Sequence, residues 1–117
     1  MLMLCYPKCT TCKKAAAWLS QHGIEVPVRD IKTENPTEDE LRLWHKLSGA
    51  PLKKFFNTSG MRYRELGLGT ALAGMSEEEQ IKLLAFDGML VKRPLLIKDD
   101  TVLIGFKEKE WETALGK

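Results

Sequence analysis

The sequence predicts an α/β fold, and three observations carry that reading. A strand, a helix and a second strand follow one another within about the first 30 residues, the middle of the chain reads as successive helices, and the final stretch reads as a hairpin with a closing helix. The first strand is the apolar run Met1-Leu2-Met3-Leu4-Cys5-Tyr6, which is too short for an ordinary helix and stops at Pro7. After the Pro7-Lys8-Cys9 bend, Thr10 or Thr11 can cap a helix over residues 10–21. It carries Ala15, Ala16, Ala17, Trp18 and Leu19, and His22-Gly23 ends it. Residues 24–29 then alternate apolar with other side chains, the period of a strand, and Pro27, which has no N–H to give, suggests an exposed or edge position for it.

Asn35-Pro36-Thr37 followed by Glu38, Asp39 and Glu40 is a helix start, because acidic side chains favour the positive end of the helix dipole. Leu41, Trp44 and Leu47 mark one face of this helix, which Ser48-Gly49 ends. Residues 51–56 read as a short helix, 57–60 as a turn, and 63–66 as another short helix closed by Gly67. Ser76 with Glu77, Glu78 and Glu79 repeats the capped acidic start, and Ile81, Leu83, Leu84 and Phe86 continue that helix to Asp87-Gly88. Leu95-Leu96-Ile97 and Val102-Leu103-Ile104, joined by Lys98-Asp99-Asp100-Thr101, read as an antiparallel hairpin, and residues 107–115 as the last helix.

With 117 residues, of which 44% are hydrophobic, the chain has the size and the apolar content of one domain. Its 18 basic and 16 acidic residues leave a formal charge of +2, too small to draw the chain to nucleic acid or a membrane surface. No apolar run approaches the roughly 20 residues of a membrane span, and no secretory leader pattern is present. A soluble cytoplasmic protein, monomeric and without direct nucleic-acid or membrane binding, is the expectation. The three cysteines, Cys5, Cys9 and Cys12, all fall in the first twelve residues, which is not the even, dispersed framework of a disulfide-stapled scaffold.

Cys9-Thr10-Thr11-Cys12 follows a strand and opens a helix. There the unpaired backbone N–H groups and the helix dipole favour a thiolate, and a cysteine three residues on falls on the same side within disulfide reach. Cys9 is the candidate attacking sulfur and Cys12 the resolving one, with Thr10 and Thr11 between them; Lys8, Lys13 and Lys14 add positive charge. Two other readings stand beside this one. The cysteines can be small packed side chains, or the three thiolates and a histidine can hold zinc, although no second CxxC pair exists and no metal is expected. Cys5 is expected in the core or beneath the loop that carries Cys9, as a packed thiol. Pro94 can simply start a strand; were the Arg93-Pro94 bond cis, the turn could expose backbone beside Cys9 and aim Arg93 at an anionic substrate or the thiolate. His22 reads as a helix-end residue, His45 as a surface one, and Trp18, Trp44 and Trp111 as helix-face core.

Taken together, these residues resemble the arsenate reductase-like branch of the thioredoxin superfamily, which includes the Spx-type regulators. The resemblance spans the whole chain. It rests on Cys9-Thr10-Thr11-Cys12-Lys13-Lys14, on Phe55-Phe56-Asn57-Thr58-Ser59-Gly60 with Tyr63-Arg64-Glu65-Leu66, on Lys92-Arg93-Pro94-Leu95, and on Gly105-Phe106. It implies one thioredoxin-like domain over residues 1–117: a mixed four-stranded sheet flanked by helices, a helical insertion at about residues 36–90 between strands 2 and 3, and a cis Pro94. It also implies that Cys9 is the nucleophile and Arg93 a substrate-binding arginine. The chain departs from glutaredoxin-coupled arsenate reductases at Asn57 and Gly105, where further arginines are expected, and at Cys12, since those enzymes use one catalytic cysteine with external glutathione. Spx-type regulators share the CxxC, which acts there as a redox switch on a protein that contacts RNA polymerase. The resemblance therefore implies a thiol redox protein with no bound cofactor, using glutathione, glutaredoxin or thioredoxin as external reductant. Arsenate reduction and redox-sensing regulation are the alternatives.

Overall fold

The computed structural model describes residues 1–117, and at its centre are four short strands. They are β1 (Leu2–Cys5), β2 (Val28–Asp30), β3 (Leu95–Lys98) and β4 (Thr101–Ile104), in the spatial order β2-β1-β3-β4. β1 and β2 are parallel, with Met3 opposite Val28, because the chain crosses over through a helix between them. β3 returns antiparallel to β1, with Leu4 opposite Leu95, and pairs antiparallel with β4 through the tight turn at Asp99-Asp100. The mixed sheet implied by the resemblance is present.

Side chains alternate across a strand, so β1 contributes to two cores at once. Leu2 and Leu4 point to one face with Leu95, Ile97, Val102 and Ile104. Met3 and Cys5 point to the other with Leu96 and Leu103. The second face is covered by α1 (Thr10–Gln21) and α6 (Glu108–Leu115), where Trp18 and Trp111 meet edge to face at 6.1 Å. The first face is covered by the insertion between β2 and β3: α2 (Glu38–Ser48), α3 (Met61–Glu65), α4 (Leu68–Ala71) and α5 (Glu77–Phe86), with single 3-10 turns at Leu52–Phe55, Leu72–Gly74 and Gly88–Leu90. Its fully buried side chains include Ile31, Leu41, Phe55, Leu84 and Leu90. Both long insertion helices begin with reciprocal caps, Thr37 with Glu40 and Ser76 with Glu79, as their sequences predict. Gly88 passes so close to the Ile31 carbonyl that no Cβ would fit, and this lets the segment before β3 lie against the end of β2.

Several expectations are corrected. Strand pairing covers only Val28–Asp30, not residues 24–29. The Pro27 carbonyl accepts from Met3 N–H at 3.0 Å, but the chain before it is not in the ladder, so β2 is a short edge strand. Neither Thr10 nor Thr11 caps α1. Cys9 holds the cap position with no side-chain hydrogen bond, and both threonines are exposed inside the helix. α3 begins at Met61, two residues before the predicted start. His45 is half-buried, its ring edge-on to Phe55 at 6.0 Å, because the 3-10 turn after α2 folds back over it. His22 ends α1 as predicted, with Nδ1–H donating to the Trp18 carbonyl at 2.8 Å.

Candidate active site

β1 ends at Cys5, and the next four residues turn the chain into α1. Cys9 N–H donates to the Tyr6 carbonyl at 2.9 Å, closing a turn through Pro7 and Lys8, and the Cys9 carbonyl accepts from Lys13 N–H at 3.1 Å as the helix begins. Cys9 therefore sits at the N-cap with extended backbone (φ −82°, ψ 123°), its side chain half-buried and bonded to no first-turn amide. Three residues on, Cys12 turns inward and is 4% exposed. Its neighbours include Cys9 and also Cys5, which β1 directs into the same buried cluster. All three are free thiols.

The contacts set which sulfur gives up its proton. Cys12 is pushed well above the ordinary thiol value, first by its hydrogen bond to Cys5 and then by burial. Cys5 is lowered because the Cys12 S–H donates to it, against the opposing effects of burial and of the Cys9 charge. The pair thus holds its last proton on Cys12. The sequence placed Cys5 in the core or beneath the loop that carries Cys9, and its packing among buried side chains confirms the core, but the Cys5–Cys12 contact depends on how α1 docks and was not predicted.

Arg93 lies against Tyr6, the first residue after β1. Its guanidinium carbon lies 5.4 Å from the centre of the Tyr6 ring, its Nη1–H donates to the Met89 carbonyl at 3.2 Å, and its buried Nε has no hydrogen-bond partner. Tyr6 thus joins the Arg93 side chain to the turn that carries Cys9, a role no sequence signal marked. The Arg93-Pro94 bond is cis, and the buried Pro94 accepts Gly105 N–H at 2.8 Å.

The two positions where arginines are expected are occupied differently. Asn57 N–H donates to the Leu90 carbonyl at 2.7 Å. Gly105 adopts φ +77°, strained for any side chain, and a Cβ there would sit 3.2 Å from Lys92 Cε. Arg62, the arginine nearest in sequence after Asn57, is held by Asp87 and Glu65, each at 3.0 Å. A cavity of about 700 Å³, lined by Pro51, Lys53, Phe56, Lys92, Ile104 and Lys107 among others, lies elsewhere, and no cysteine lines it. No group of three His, Cys, Asp or Glu side chains is arranged to hold a metal ion, and no helix is long and apolar enough to cross a membrane.

Known proteins share the fold. An ArsC family related protein from Bacteroides fragilis superimposes with a TM-score of 0.93 at 55% identity, covering 96% of this chain and 94% of that one. YusI from Bacillus subtilis is 53% identical over 92% of this chain and 91% of its own length. The regulatory protein MgsR, also from Bacillus subtilis, is 30% identical over 90% of this chain and 82% of its own length. The sequence profile of the ArsC family matches residues 4–114, from the first strand to the last helix, and the chain belongs to that family, the ArsC/Spx-related family of thioredoxin fold.

Proposed function

We propose that this protein is a thiol–disulfide redox protein in which Cys9 attacks and Cys12 resolves. The observation that carries this reading is a half-buried Cys9 at a helix N-terminus, in contact with a buried Cys12 one turn further on. The Cys9 thiolate displaces one sulfur of a substrate disulfide, forming a mixed disulfide and releasing a thiolate. Cys12, on losing its proton, attacks the Cys9 sulfur and releases the second thiolate. Two electrons have then passed from the protein to the substrate, and an external thiol, such as glutathione, glutaredoxin or thioredoxin, returns them. The amides of Thr10 and Thr11 offer donors at the helix start, and Arg93, which lies against Tyr6, and Pro94 are the residues proposed to meet the substrate or the thiolate. Equilibration against defined ratios of reduced and oxidised glutathione, followed by mass spectrometry, is expected to reveal a reversible Cys9–Cys12 bond. Absence of that bond at every ratio would overturn the mechanism.

Arsenate reduction is less well supported, since Arg93 would face the oxyanion without the guanidiniums expected at 57 and 105. Each missing charge-assisted hydrogen bond costs about 1.5 to 3 kcal/mol. An NADPH-coupled assay with arsenate, glutathione and glutaredoxin is expected to give the same rate for wild type and Cys9→Ser. Similarity to MgsR favours a second reading, in which the state of the cysteine pair controls contact with the transcription machinery. Retention of RNA polymerase by only one of the reduced and oxidised forms would support it; retention by neither would remove it.

A further inference from the structure

The exchange just described leaves Cys5 unused, yet Cys5 is placed where it can take part. β1 turns Met3 and Cys5 toward α1, and α1 turns Cys12 and Ala15 back toward them, so Cys5 and Cys12 share one packed seam at 6% and 4% exposure. Cys9 packs against the outside of that seam. Cys12 therefore has two cysteine neighbours, the half-buried Cys9 and the buried Cys5.

We propose that Cys5 is a third redox-active sulfur, and that the disulfide first formed between Cys9 and Cys12 moves inward to join Cys12 and Cys5. The step rests on the thiol–disulfide reading above and needs no oxidant beyond the substrate disulfide that makes the outer bond. Cys5, as thiolate, attacks the Cys12 sulfur; the Cys5–Cys12 bond forms, the Cys9–Cys12 bond breaks, and Cys9 leaves as a thiolate. One disulfide and one thiolate are present before and after, so no electrons are gained or lost. The inner bond is covered by protein, and an external thiol cannot reach it directly. Its reduction has to run back through Cys9, whose thiolate attacks Cys12 and regenerates the outer bond. An oxidised molecule thus shows a free thiol at its surface and holds its oxidising equivalent inside.

Trypsin makes the two bonds distinguishable, because cleavage after Lys8 and Lys13 leaves Cys5 in the peptide 1–8 and both other cysteines in the peptide 9–13. The full-length protein is oxidised with oxidised glutathione, quenched in acid, alkylated with N-ethylmaleimide, digested and analysed by tandem mass spectrometry. The expected product is peptide 1–8 joined to peptide 9–13 with the alkyl group on Cys9. In Cys5→Ala, which gives up only one sulfur from the seam, peptide 9–13 should instead carry an internal loop, with Cys9 alkylation lower by about tenfold than in oxidised wild type. Wild-type protein with an alkylated Cys5 and a looped 9–13 peptide overturns the inward step and leaves the Cys9–Cys12 mechanism standing. A joined pair with the alkyl group on Cys12 also overturns it. Absence of every intramolecular bond overturns both.

Discussion

Contact with the Cys5 sulfur and burial beneath the Cys9 turn hold the proton on Cys12, and this has a kinetic consequence. Cys12 can resolve a mixed disulfide only as thiolate. Below the pH at which a thiol titrates, the thiolate fraction rises about tenfold for each pH unit. Because Cys12 is raised, that climb should run without levelling through the range where an ordinary thiol, near 8.5, is already ionised. Release of glutathione from a preformed Cys9–glutathione adduct, followed in a single turnover from pH 7 to 10, is expected to accelerate throughout. In Cys5→Ala the contact that raises Cys12 most is gone, so the curve should level at lower pH and the rate at pH 7 should increase. A profile that is flat, or the same in both proteins, would mean that Cys5 does not hold the Cys12 proton.

At the scale of elements, Glu40 joins two parts of the fold. Its carboxylate accepts from Thr37 N–H at 3.0 Å, completing the cap of α2, and it accepts from Nη1 and Nη2 of Arg29 in β2 at 2.7 and 2.8 Å. The edge strand is thereby pinned to the first helix of the insertion, in a setting where the Arg29 side chain is only 18% exposed. Glu40→Ala is expected to lower stability by about 2 to 3 kcal/mol in urea titration, from the loss of the cap and the ion pair together. Thr37→Ala, which removes only the capping oxygen, should cost about 1 kcal/mol. Equal losses in the two variants would show that the Arg29 pair contributes nothing. These caps were legible in the sequence because a cap is local: Thr37-Glu38-Asp39-Glu40 and Ser76-Glu77-Glu78-Glu79 carry acceptor and acid at fixed spacing. β2 was misplaced because its limits depend on where β1 offers partners, and the 3-10 turn at Gly88–Leu90 went unseen because Gly88 answers to Ile31, far away in the chain. The candidate site divides in the same way. Cys9 and Cys12 announce themselves by spacing at a helix start, whereas the Cys5–Cys12 contact and the Arg93–Tyr6 stack exist only once α1 and the segment before β3 have docked.

On the scale of the molecule, the two cores meet through the strands. In β1, Leu4 lies in the core under the insertion while Met3 and Cys5 lie in the core under α1 and α6; in β3, Leu95 and Leu96 divide in the same manner. Loss of either core frees side chains from one face of strands whose other face holds the second core, so neither has an independent scaffold. The insertion should therefore unfold together with the thioredoxin-like part. The three tryptophans report on both sides, Trp44 in the insertion core and Trp18 and Trp111 in the other. With 5-fluorotryptophan incorporated, the three fluorine resonances are expected to lose native intensity at one urea concentration. Leu4→Ala and Leu19→Ala, one truncation in each core, should each cost about 2 to 5 kcal/mol and move all three resonances together. A Trp44 signal that melts apart from the other two, or that ignores Leu19→Ala, would show that the helices between β2 and β3 fold as a unit of their own. The Cys9 site would then rest on a smaller scaffold of β1, β3, β4, α1 and α6.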